Sequence, residues 1–174
     1  KFPDYTFGNI ASTKNYIVEN RNSLYSFFLS GANALVDRKK IIELGCFKEV
    51  YNPYYGEDVD LGLTAWEAGY KLYYDNSIFC RHPNSETIKK EPSKKVKLIS
   101  KRNKFILHYL HLNGFELFVF LIKTIFKSIL KILLLDFIYF KAFLHFASKL
   151  NELKKIKNIN KKFKKRNLKE IKTF

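Results

Sequence analysis

Between Phe115 and Leu150 the chain reads FELFVFLIKTIFKSILKILLLDFIYFKAFLHFASKL, a Phe-, Leu- and Ile-rich stretch with Lys123, Lys127 and Lys131 at every fourth position. A spanning helix needs roughly 18–20 apolar residues in a row, and no uncharged run here reaches that length. Four-residue spacing puts the three ammonium groups along one edge of a helix. A core helix packed on two sides has no place for so regular a row of charges. The pattern predicts a helix in the plane of a bilayer interface, its lysines snorkelling toward lipid phosphates. The alternative is a helical hairpin buried against the rest of the chain.

Charge divides the 174 residues sharply. Residues 1–82 carry nine Lys/Arg against ten Asp/Glu, a net charge of −1, and residues 83–174 carry twenty-three against six, a net charge of +17. A near-neutral first half followed by a basic second half implies a globular region with an anion-seeking extension. The extension ends in a tail, 151–174, with ten Lys/Arg against two Glu, which adds polybasic attraction to anionic lipid. The apolar content is ample for a core. There is no methionine, and the chain is expected to be a piece of a longer protein. Two cysteines make no disulfide framework, and Cys46 and Cys80 are expected to be buried thiols. Cys80 and His82 form a C-x-H pair, but no second pair stands at zinc-site spacing.

The first half reads as alternating short elements. Residues 1–22, with Pro3, Gly8 and several Asn, are expected to be mostly loop. The apolar run 23–36 predicts a buried strand pair or one long strand. Asp37 can cap a helix through RKKIIELG that Gly45 ends, and Pro53 and Gly56 break the segment 46–56. A second helix is predicted from Glu57 to Ala68, closed by Gly69. Its apolar positions form no single stripe, which implies burial on more than one side. Residues 70–74 and 77–82 read as short strands around a turn. After a polar linker over 83–93, residues 94–114 show helical apolar spacing stopped by Asn113-Gly114.

The ordered combination SGANALVDRKKIIELGCF, YGEDVDL, AGYKLYY and a closing histidine resembles the C-terminal half of the catalytic domain of family 2 glycosyltransferases. These are inverting enzymes of the GT-A type, and the resemblance spans about residues 28–88. It implies an α/β fold class: a partial GT-A (nucleotide-diphospho-sugar transferase-like) domain followed by C-terminal amphipathic helices. Residues 1–82 would be the acceptor-side half of that domain, 83–93 a linker, 94–150 a helical membrane-interface segment and 151–174 the basic tail. The nucleotide-binding half, with its metal-binding D-x-D, would lie upstream.

Inverting transfer needs a base that takes the proton of the acceptor hydroxyl as it attacks the anomeric carbon. The resemblance assigns that role to Asp58, with Glu57 orienting or sharing the acceptor contact. A helix N-terminus favours the ionised carboxylate. Asp60 completes a D-V-D triplet that copies a D-x-D only superficially, and is expected to cap the helix or form a local salt bridge. Simple capping is the alternative for the whole acidic cluster. The resemblance makes His82 a ligand of a divalent metal, Mn or Mg, that neutralises the diphosphate leaving group. Ser30, Gly31 and Ala32 would let a sugar approach the backbone closely, or else pack tightly against a helix. Tyr54 and Tyr55 are candidates for acceptor contact, Arg81 for a phosphate, and Trp66 is expected to be core.

The function implied is transfer of a sugar from a nucleotide-sugar donor to a glycan or lipid-linked acceptor, in cell-surface polysaccharide or glycolipid synthesis. The protein would work peripherally at the cytoplasmic face of the membrane, on an anionic surface met through 115–174. The alternative is a non-catalytic basic module that binds membrane or nucleic acid. The aromatics of 105–146 come as dense apolar clusters rather than the spaced platforms of single-strand binders, which favours lipid.

Overall fold

The computed structural model describes residues 3–6, 9–12, 24–31, 33–75, 77 and 91–172. They fall into two compact units, one holding residues 1–48, 57–82 and 159–174, the other 49–56 and 83–158.

In the first unit, β1 (Pro3–Thr6) and β2 (Asn9–Ser12) pair antiparallel, Tyr5 opposite Ile10. This corrects the expectation of loop for the N-terminal stretch. β3 (Leu24–Tyr25) pairs antiparallel with β4 (Tyr73–Tyr74), and Ser26 N–H adds one bond to Leu72 O at 2.8 Å. The ladder stops there because the Ser26 hydroxyl turns to the Phe28 carbonyl, 2.8 Å away, a local bond that competes with strand pairing. Residues 26–31 and 33–36 of the run are not strand, and Leu35 is fully exposed.

The two helices of this unit form where their termini predict. The Asp37 carboxylate caps α1 (Arg38–Glu43), accepting from Lys39 N at 3.0 Å and Lys40 N at 3.3 Å. Gly45, at φ +87°, ends it. Helix α2 (Glu57–Glu67) closes with Gly69 N donating to Trp66 O and Tyr70 N to Ala65 O, both 3.0 Å, with Gly69 at φ +95°. Residues 60–68 of α2 and its end are all buried, so the absence of a single stripe did signal burial on several sides. Gly62 allows the closest approach: a Cβ there would stand 2.6 Å from Phe28 Cα and 2.8 Å from Phe27 O. Trp66 completes the contact, its indole N–H donating to Ser26 O at 2.9 Å and its ring meeting Tyr25 edge-on at 5.7 Å.

In the second unit, helices α3 (Ser93–His111), α4 (Gly114–Leu133) and α5 (Phe137–Ala147) pack together. α6 (Leu150–Phe163) and α7 (Leu168–Lys172) follow in the chain. Phe105 of α3 lies within 5.2–6.5 Å of the rings of Phe120, Tyr139, Phe143 and Phe146. One turn on, His108 stacks on Phe120 at 4.6 Å, with its Nδ1 2.7 Å from Lys104 O. The Lys157 ammonium donates to Tyr109 O and Leu112 O, closing carbonyls that the end of α3 leaves open.

The α/β expectation is therefore corrected. The described residues are mostly helical, and their strands make two antiparallel pairs of four and two residues, with no parallel sheet between helix layers. A parallel ladder needs partner strands of comparable length, and β3 finds only two residues of β4 before its chain turns to pack on α2. Cys46 also departs from expectation, being exposed, at φ +55°.

Gly62→Ala is expected to lower stability by about 1–3 kcal/mol in urea unfolding, because backbone must shift to admit the methyl group. Gly31→Ala, where a Cβ meets nothing within 4 Å, is expected to change it by under about 0.5 kcal/mol. Equal effects would show that Gly62 is not a packing contact.

His108 supplies a pH dependence. Burial pushes its imidazole down to about 4, with the charges of Lys104 and His111 acting the same way and the hydrogen bond to Lys104 O opposing. The unfolded imidazole takes its proton near pH 6.5, so stability is full above that value and falls as the pH drops toward 4. We expect on the order of 2 kcal/mol to be lost between pH 7 and 5, and His108→Gln to remove most of that slope. A slope unchanged in His108→Gln would assign the loss to other groups.

Candidate active site

Helix α2 begins directly after Gly56, and its first turn carries Glu57, Asp58 and Asp60. These three carboxylates have different fates. Asp60 has no exposed surface, and the Lys48 ammonium bonds it directly while also donating to Thr64 Oγ1 at 3.2 Å. Lys48 is itself buried, at 8% side-chain exposure. A buried carboxylate is tolerable when paired and hydrogen-bonded. Asp60 is thus part of the framework, in the local salt bridge that its position suggested.

Asp58 and Glu57 remain at the helix start. Asp58 is half-buried, and its Oδ1 accepts from Val59 N at 2.8 Å. Glu57 is also half-buried, and its Oε2 is closed off from solvent with no hydrogen-bond partner among the described residues. Burial pushes its carboxyl above the usual glutamate range, and the neighbouring Asp58 charge adds to this; its own backbone N–H pulls the other way. At Glu57 desolvation therefore outweighs the helix end.

No family model, curated protein or solved structure matches this chain. The reading of the site rests on its residues.

Ser30 and Gly31 lie in the same unit as the acidic turn. Ser30 O accepts from Asn33 N at 3.2 Å, and Gly31 is exposed with open space where a Cβ would stand. Tight packing on a helix is therefore not what Gly31 serves; Gly62 has that role. Ala32, Arg81 and the expected metal ligand His82 lie outside the described residues. Among the described residues no three His, Cys, Asp or Glu side chains converge as a metal site. Trp66 is core, as expected.

Tyr54 and Tyr55 fall in the other unit. Their rings meet edge-to-face at 5.3 Å, and Tyr55 takes φ +73°. The loop bearing them is held by one side chain: Asn103 Nδ2 donates to Tyr51 O, Tyr54 O and Tyr55 O at 2.7–2.8 Å. Arg102 reinforces it, donating to Tyr51 O at 3.3 Å, to Asn52 O and, through Nε, to Asn103 Oδ1 at 2.9 Å. The Tyr54 hydroxyl is buried with no hydrogen-bond partner among the described residues.

Sequence reasoning missed Lys48, Thr64, Arg102 and Asn103. Asn103 did carry a weak signal: a poor helix former in the interior of a helix marks a side chain that can satisfy backbone. Lys48 carried none, since a partner twelve residues away leaves no periodic trace.

Lys48→Met is expected to lower stability by about 3–5 kcal/mol, because it strands Asp60 without its partner. Adding Asp60→Leu should recover at least half of that loss in urea unfolding. A Lys48→Met protein as stable as the parent would mean that Asp60 is solvated or otherwise compensated.

Proposed function

We propose that this chain carries the acceptor-activating carboxylates of an inverting glycosyltransferase similar to family 2. The reaction moves a sugar from a nucleotide sugar to a glycan or lipid-linked acceptor, at the cytoplasmic face of a membrane, in cell-surface polysaccharide or glycolipid synthesis. The observation that carries the reading is the division of labour in the first turn of α2. Lys48 pairs with the fully buried Asp60, and the half-buried Glu57 and Asp58 stand side by side at the helix start, in the E-D order of the resemblance.

In this reading Asp58 accepts the proton of the acceptor hydroxyl as that oxygen bonds to the anomeric carbon. The bond from that carbon to the diphosphate oxygen breaks on the opposite face, and the nucleoside diphosphate leaves with the electron pair. Glu57, whose carboxyl is pushed up by burial and by the Asp58 charge, orients the acceptor by hydrogen bonding. A divalent ion at His82 would neutralise the departing diphosphate.

The test uses the protein expressed from its complete reading frame, in membranes that supply acceptor, with a panel of nucleotide sugars and release of nucleoside diphosphate as readout. Asp58→Asn is expected to lower kcat by about 10²–10⁴-fold with donor affinity unchanged. Glu57→Gln is expected to cost less. Full turnover in Asp58→Asn removes it as the base, and a parent protein that consumes no nucleotide sugar ends the reading.

A further inference from the structure

Helix α4 is packed the wrong way round for a protein that ends at its own surface. Its buried positions are Phe120, Thr124 and Ser128. The two hydroxyls donate back to their own helix, Thr124 to Phe120 O and Ser128 to Thr124 O, each at 2.8 Å. Its most apolar side chains face outward: Phe115, Phe118, Ile122, Phe126, Ile129 and Leu133 are exposed, Phe126 at 69% and Leu133 at 75%. At 100° per residue these six span an arc of about 80°, a continuous stripe with no charge in it. Over twenty residues the stripe runs about 30 Å.

The stripe continues into the turn between α4 and α5, where Leu134 and Leu135 are exposed, Leu135 at 78%. Leu135 N donates to Ile132 O at 2.9 Å and Asp136 N to Lys131 O at 2.8 Å. This is a helix-ending turn whose left-handed residue is ordinarily glycine, yet Leu135 holds φ +56°. A branched side chain in a strained conformation, presented wholly to the outside, points to use of the side chain.

Basic groups follow on one flank: at 100° per residue Lys123 stands about 60° beyond the stripe's edge, and Lys127 and Lys131 turn progressively further from it toward α5. Lys123 and Lys127 are exposed, Lys127 also lies 5.9 Å over the Tyr139 ring, and Lys131 pairs with Asp136 at 3.3 Å. The lysine row is thus tethered along the flank that faces α5. No helix among the described residues is long and apolar enough to cross a membrane.

We propose that α4 and the Leu134–Leu135 turn form an in-plane anchor, seated in the headgroup–acyl boundary of an anionic bilayer. The apolar stripe enters the acyl region and the lysine flank meets lipid phosphates. Charge selects this occupant over a second copy. Two chains of net charge +16 joined through this face would bring their lysine rows together, whereas an acidic leaflet complements them. The anchor stands on α4 alone and does not depend on Asp58 being a base.

The experiment is vesicle flotation of the full chain on phosphatidylcholine, with and without phosphatidylglycerol, across a salt series, with RNA gel shift and light scattering alongside. Binding to the acidic vesicles is expected to be at least about tenfold tighter than to neutral ones at low salt. Phe118→Ser/Phe126→Ser, at exposed positions that leave the melting temperature unchanged, should weaken it at least about tenfold. Lys123→Glu/Lys127→Glu should erase the preference for acidic vesicles, and Asp58→Asn should change nothing. Three outcomes overturn the proposal: vesicle binding that survives Phe118→Ser/Phe126→Ser, a dimer in solution that this variant dissolves without any vesicle binding, and RNA binding in place of lipid binding.

Discussion

Asp60 is a carboxylate with no contact with water, and it is held in the first turns of α2 by one ammonium group from Lys48. A carboxylate in that position without a partner would be protonated or would unfold its surroundings. The pair ties the segment after α1 to the face of α2 formed by Asp60 and Thr64. With that face settled, the face formed by Gly62 and Trp66 is turned to residues 26–29, where backbone contact at Gly62 and the Trp66 hydrogen bond to Ser26 O lock it. The far end is fixed by a second buried acid. Glu67 pairs with Lys164 at 2.6 Å, and its carbonyl accepts from Lys165 N and Arg166 N. An eleven-residue helix is thereby constrained by side-chain ion pairs near both ends and by backbone packing between them.

This arrangement separates structural acids from the rest. Asp60 and Glu67 have nearby cations that neutralise them, so neither adds much field at the start of the helix. The upward shift of Glu57 comes from burial first and from Asp58 second. Glu57 is thus the more desolvated of two adjacent carboxyl groups, an inequivalence of environment that can give neighbouring acids different roles.

The parts legible in the sequence were those governed by neighbours in the chain. Asp37 and Gly45 bound α1, and Gly69 ends α2, because caps act over three to five residues and need only those residues to be present. Asn167, where only a basic tail was expected, caps α7 by the same local chemistry: its side chain accepts from Lys169 N and Glu170 N, and the Glu170 carboxylate accepts from Asn167 N. Partnerships at a distance were not legible. Lys48 with Asp60, and Asn103 with the carbonyls of Tyr51, Tyr54 and Tyr55, are set by the fold and not by spacing. Strand signals failed for a related reason. The run 23–36 has strand-like composition, but composition cannot say whether a partner of equal length exists, and β4 offers two residues. The apolar remainder found a helix instead. Of the candidate site, the E-D pair was legible as a pattern, whereas the buried ion pair that makes the third acid, Asp60, structural needed Lys48.

The same distinction explains α4. Its four-residue lysine spacing was visible, but not which face turns inward. The aromatic cluster around Phe105 takes Tyr139, Phe143 and Phe146 from α5 and a single ring, Phe120, from α4. Below Phe120 the inward positions are Thr124 and Ser128, small side chains whose hydroxyls donate within the helix, with Thr124 also meeting the Tyr139 hydroxyl of α5. Stability of the isolated unit would have been better served by isoleucine or phenylalanine turned inward, since each buried side chain of that size contributes about 1.5–3 kcal/mol. The sequence puts those residues outside, where water gives them nothing. In the anchor we propose, the free energy available from Phe118, Phe126 and Leu133 is realised against the acyl region of a bilayer, and the helix gives up part of its own core for that contact.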